Sequence, residues 1–84
     1  MKPEVAFGRV LRELRLQRGL SQEKLAHEAN IERNYISLLE LGRNSASIDK
    51  LFKLAPALGV TVSELMGRVE GYLSGNLEPV IKHF

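Results

Sequence analysis

The side chains able to do chemistry in this 84-residue chain are few, and most of them are badly placed for catalysis. There is no cysteine, so disulfides and thiolate metal sites are excluded. His27 and His83 lie far apart, and no cluster of histidines and carboxylates has metal-ligand spacing. Ser, His and Asp all occur, but no strand–turn–helix nucleophile elbow and no phosphate-cradling loop frames them. What remains is hydrogen-bonding chemistry, concentrated in Glu32-Arg33-Asn34-Tyr35-Ile36-Ser37-Leu38. A guanidinium such as that of Arg33 can donate two bonds to guanine O6 and N7, and an amide such as that of Asn34 can pair with adenine through two bonds. The chemistry within reach is recognition, not bond-making.

Such side chains are useful only if an element holds them outward. The stretch Ser21 to Gly42 supplies one, since two amphipathic segments meet at a tight break around Asn30. Leu25, Ala26, Ala29, Ile31, Ile36 and Leu39 form one apolar set across both segments. Ala26 is small and stands four residues before Asn30, where two crossing helices come closest. Asn tolerates a positive φ better than any residue but Gly, which suits it to the sharp turn. This is a helix-turn-helix, in which one helix braces on a nucleic-acid backbone and the second presents its outer face to the major groove.

The rest of the chain reads as support for that motif. Phe7, Val10, Leu11 and Leu14 recur at i, i+3, i+4 and i+7, predicting a first helix over 4–18 with Pro3 at its start and Gly19 as its stop. Arg9, Arg12 and Arg18 fall off that stripe and form a basic side, or simply a solvated face. Ser21 caps the second helix without a full capping box, because Lys24 stands at the third helical position. The third helix runs from near Glu32 to Leu41 and ends at Gly42. Arg43 to Ser47 is a polar loop, and Ser47 caps a fourth helix reaching Leu58 with Ile48, Leu51, Leu54, Ala55 and Leu58 inward. Pro56 should distort its last turn. Thr61 to Glu64 is a capping box opening a fifth helix that carries Leu65 and Met66 inward. The expected fold class is all-α: a compact five-helix domain carrying the helix-turn-helix over residues 1–66, with a short C-terminal helical extension over 67–84.

Composition agrees. Hydrophobic content of 44% and charged content of 26% are those of an ordinary globular chain. The charges near the N-terminus are too frequent for a signal peptide, and no apolar run reaches membrane-spanning length, so a cytoplasmic protein is expected. A net charge of +2 permits nucleic-acid binding but does not argue for it.

RELRLQRGLSQEKLA, followed by ERNYISLLELGR and LAPALGVTVSEL, resembles the phage-repressor and Cro-like (XRE-type) helix-turn-helix family, in order and spacing, over roughly residues 5 to 66. Within that family, R-N-Y-I-S followed by E-x-G-R-N resembles restriction–modification controller proteins and short phage or plasmid repressors. The family usually has Gly at the turn, where this chain has Asn30. The resemblance implies a sequence-specific regulator of transcription that binds double-stranded DNA, with no cofactor and no enzymatic activity. It also implies roles for matching residues. Arg33, Asn34, Ser37 and Leu38 fall where the family reads base edges, Leu38 either touching a thymine methyl or packing under Tyr35. Glu32 either accepts from cytosine or favours the helix N-terminus, and the second reading is preferred. Gln22 matches a phosphate-contacting position, Tyr35, Arg43 and Asn44 flank the reading face as backbone contacts, and Arg15 and Glu40 match a structural salt bridge. The alternative is a protein-interaction adaptor on the same fold, against which the polar Arg33, Asn34 and Ser37 count.

One such domain covers one half-site, so a palindromic operator requires a homodimer. The fifth helix can continue through Tyr72 and Leu73 before Ser74 and Gly75 break it. Asn76 can cap a last helix in which Leu77, Val80, Ile81 and Phe84 form an apolar stripe. That stripe either folds back on its own core or, as preferred here, packs with Tyr72 and Leu73 against a second subunit.

Overall fold

The computed structural model describes residues 1–75, which form five helices: α1 (Pro3–Gln17), α2 (Gln22–Ala29), α3 (Arg33–Glu40), α4 (Ile48–Leu58) and α5 (Val62–Ser74). Among the described residues there is no strand. The long α1 is the hub, packing on α3 and α5, while α2 packs on α3 and α4. Ala6, Phe7, Val10, Leu11 and Leu14 bury one face of α1. They meet Leu25, Ile36, Leu39, Leu54 and Leu65, each with no exposed surface. Burying a side chain of that size stabilises by about 1.5–3 kcal/mol, so this Leu-rich cluster supplies the driving force that the few aromatics cannot.

Local chemistry sets the breaks between helices. Ser21 accepts from the Lys24 N–H at 3.0 Å and Ser47 from the Lys50 N–H at 3.2 Å. Thr61 and Glu64 form the reciprocal capping box, with bonds of 3.0 and 2.9 Å. Asn30 adopts φ 57° and ψ 49°, the left-handed turn expected of it, and the Ile31 N–H returns to the Ala26 carbonyl at 2.9 Å.

One expectation needs correction. Ile48 does not face the core: it is 73% exposed, because it opens α4 and the inward stripe begins only at Leu51. The expected end of α4 at Leu58 holds, with Pro56 inside the helix. The helix closes on Gly59, whose N–H reaches the Pro56 carbonyl at 3.0 Å. The bond that Pro56 cannot make would have gone to the carbonyl of Phe52, on the solvent side of the helix, where water can replace it. The stripe residues Leu77, Val80, Ile81 and Phe84 lie outside the described residues.

Candidate nucleic-acid interface

Eight residues make α3, and its sequence divides them cleanly. Ile36 and Leu39 point into the core with no exposed surface, while Arg33, Asn34 and Leu38 lie exposed and Ser37 half-buried. Glu32 occupies the N-cap in extended backbone, and its side chain makes no capping bond. The helix is therefore entered through two linked devices, the left-handed Asn30 and the buried Ile31, which together turn the chain back across α2.

Behind α3 sits a polar anchor. Arg15 Nε donates to Glu40 Oε2 at 2.6 Å, and Arg15 Nη2 to Glu40 Oε1 at 3.0 Å, a two-pronged pair between α1 and the last residue of α3. Both side chains are nearly sealed from water, at 9% and 5% exposure. The remaining groups are used as well: Arg15 Nη1 donates to the Leu20 carbonyl at 2.8 Å, and Gln22 Nε2 to Glu40 Oε1 at 3.0 Å. The Glu40 hydrogen bond raises the Arg15 pKa above its ordinary value, more than burial lowers it. Desolvation of such a pair is repaid only when its other donors and acceptors are met, as they are here. Gln22, expected as a phosphate contact, thus ties α2 to α3 through one amide hydrogen, and among the described residues the other makes no bond.

The loop that leaves α3 is fixed differently. The Arg43 N–H returns to the Leu38 carbonyl at 3.0 Å, and Gly42 takes φ 74° where an added Cβ would meet Val5 at about 3.0 Å. The half-buried Tyr35 donates its hydroxyl to the Ser45 carbonyl at 3.0 Å. Lys50 of α4 holds its ammonium 5.8 Å from the centre of the Tyr35 ring, a cation–π distance. Arg43 is exposed and Asn44 half-buried in the same loop. Gln22, Arg43 and Asn44 therefore lie at the C-terminal end of α3, and Tyr35 ties its first turn to the loop that follows. Leu41, the expected last residue of the third helix, is 62% exposed and is not core.

Lys50 was not singled out by sequence, although the Ser47 cap places it on the first turn of α4 beside the loop. Gly8 was also missed. It is buried, and a Cβ there would lie 2.3 Å from the Leu39 carbonyl oxygen, so α1 and α3 approach backbone to backbone. A glycine inside an apolar helical stripe was the available signal.

Tyr72 and Leu73 part company. Tyr72 donates its hydroxyl to Glu13 and carries the Arg9 guanidinium 5.6 Å from its ring centre, all within one subunit. Leu73 is 42% exposed. His27 is exposed, and no metal-binding group of His, Asp or Glu occurs among the described residues. No helix among those residues is long and apolar enough to cross a membrane.

A buried turn, a braced second helix and an outward polar face define a class, the helix-turn-helix regulators. The chain belongs to that family: a family model described as helix-turn-helix matches residues 11–65. It is 43% identical over 61 residues to the control protein C.BamHI of Bacillus amyloliquefaciens, covering 71% of this chain and 75% of that one. It is 37% identical over 68 residues to the control protein C.MunI of a Mycoplasma species, covering 80% and 92%. The crystal structure of the restriction–modification controller protein C.AhdI from Aeromonas hydrophila superposes with a TM-score of 0.72 at 44% identity, covering 74% of this chain and 94% of that one. The protein is a DNA-binding regulator of transcription, and its all-α repressor-like fold is that of these relatives.

Proposed function

We propose that the protein binds a palindromic operator as a homodimer in the cytoplasm, each subunit laying α3 in the major groove of one half-site. Arg33 and Asn34 read base edges, with Ser37 and Leu38 one turn further along. Arg43, Asn44, Tyr35 and the second amide hydrogen of Gln22 hold the flanking phosphates. The observation that carries this reading is the exposed Arg33–Asn34 pair on a helix whose opposite side is locked by Arg15, Gln22 and Glu40. Base readout needs such stiffness, because a mobile donor discriminates poorly between acceptors.

Selection of bound duplexes from a random pool, followed by footprinting at two salt concentrations, tests it. The expected result is a symmetric site whose half-sites lie about 34 Å apart, bound less tightly as salt rises. A chain that selects no sequence and ignores salt would instead be acting as a protein adaptor.

A further inference from the structure

Three of the five helices are started by a hydroxyl side chain: Ser21, Ser47 and Thr61 each accept from the backbone N–H three residues on. Glu32 holds the same place for α3, in the same extended backbone, and its side chain accepts nothing there. The N–H that such a cap would take, that of Tyr35, is given instead to the Glu32 backbone carbonyl at 3.1 Å. The first turn of α3 carries no acid. Glu32 is exposed, and among the described residues its carboxylate pairs with no cation and accepts no hydrogen bond.

A carboxylate in that place is a liability twice over. It forgoes the stabilisation that a Ser, Thr, Asp or Asn cap gives a helix of eight residues. It also brings a full negative charge to the edge of a surface that meets a polyanion, where it repels phosphate. A residue that breaks the local rule beside a recognition face is explained by what it recognises. Of the base edges in the major groove, cytosine N4 is the donor that suits a lone carboxylate. Adenine sets the acceptor N7 beside its amino group, and guanine and thymine present carbonyl oxygens.

We propose that Glu32 is a specificity-determining residue, its carboxylate accepting from cytosine N4 at the base pair next to the one that Arg33 reads. This rests on the reading of α3 as the groove helix and adds a contact to it. The contribution is made mostly by exclusion. At cytosine, one N–H···O bond offsets the cost of holding the charge near phosphate. At any other base that cost stands uncompensated, so the wrong sequence is rejected rather than the right one merely favoured. Glu32 and Arg33, adjacent in the chain and opposite in charge, thus select opposite edges: a donor for the carboxylate and two acceptors for the guanidinium.

Equilibrium binding of the full chain to its selected duplex and to every single-base variant of it, with a thermal melt of each protein, tests the assignment. Glu32→Gln keeps the size of the side chain and removes its charge. It should bind the duplex with guanine in place of that cytosine about tenfold more tightly than the wild type does, while its affinity for the selected duplex changes little. Glu32→Asp is shorter and a better cap, so it should raise the thermal midpoint by a few degrees and lose the cytosine preference. The proposal is overturned if Glu32→Gln shifts every duplex by one common factor, as a charge acting at a distance would. It is equally overturned if Glu32→Gln lowers the thermal midpoint and leaves all preferences intact, as a charge serving only the helix end would. A wild-type preference for adenine at the pair that Glu32→Gln relaxes also overturns it. Arg33→Ala separates this proposal from the reading beneath it. If Arg33→Ala relaxes its own base pair and Glu32→Gln relaxes none, α3 still reads the groove and only Glu32 falls. If neither variant changes any preference, both fall.

Discussion

Arg33 and Arg43 are both solvated arginines, yet their loss should be felt differently. On the proposed base-reading role, Arg33→Ala should cost about 1–3 kcal/mol at the preferred site and relax preference at that position alone. On the proposed phosphate-contacting role, Arg43→Ala should weaken the binding of all duplexes and lower the salt slope by about one. Titrations against a set of single-base variants at several salt concentrations separate the two, and an Arg33 variant with unchanged preference would remove it from the reading face. The buried arginine is another matter. Arg15→Ala strands the Glu40 carboxylate with Gln22 as its one remaining donor, and Glu40→Ala strands a guanidinium against the Leu20 carbonyl. Each should destabilise the fold by about 3–5 kcal/mol, a large share of the roughly 5–15 kcal/mol that holds a domain together. An apolar replacement of both residues should cost much less than the two single losses added, and additive melts would refute a direct pair.

At the scale of elements, the close approach of α1 and α3 depends on the absence of one methyl group. Gly8→Ala puts a Cβ against the Leu39 and Glu40 carbonyls, and neither is a side chain able to swing away. The intrinsic gain in helix propensity, about 1 kcal/mol for Gly to Ala, would ordinarily stabilise. Here the clash should win, and a lower thermal midpoint for Gly8→Ala than for the wild type is the expected outcome. The helices themselves were legible in the sequence because their signals are local. Apolar spacing announced α1, Ser21, Ser47 and the Thr61–Glu64 box announced three starts, and Asn30 announced the turn. Arg15 and Glu40 were legible only through the family pattern, since 25 residues separate them in the chain. What could not be read is where neighbouring elements touch. Ile48 has the spacing of a core residue but opens its helix on the solvent side. Gly8 looks like a weak spot in α1 until α3 is laid across it.

Across the whole molecule, α5 returns to α1 and closes the domain, and its contact is sensitive to base. Burial, and then the hydrogen bond to Glu13, raises the Tyr72 phenol above its ordinary value of 10.0. A group whose folded pKa is raised contributes stability that is intact below its unfolded pKa and lost as pH climbs through the folded one. Urea unfolding of the wild type should therefore be unaffected by Tyr72 up to about pH 10 and weaken beyond it. Tyr72→Phe should show less of that alkaline loss, and equal slopes for the two chains would show that the phenol plays no part. The anchor behind α3 has a consequence for how such a molecule can change over time. The bonds and buried side chains that hold this helix in place leave from Ile36, Leu39, Glu40 and Tyr35, whereas Arg33, Asn34 and Leu38 hold nothing up. On the proposed reading, the letters that choose a target can thus be rewritten without disturbing the frame that carries them. Under that same proposal, a descendant with three altered side chains would keep its fold and answer to a different stretch of DNA.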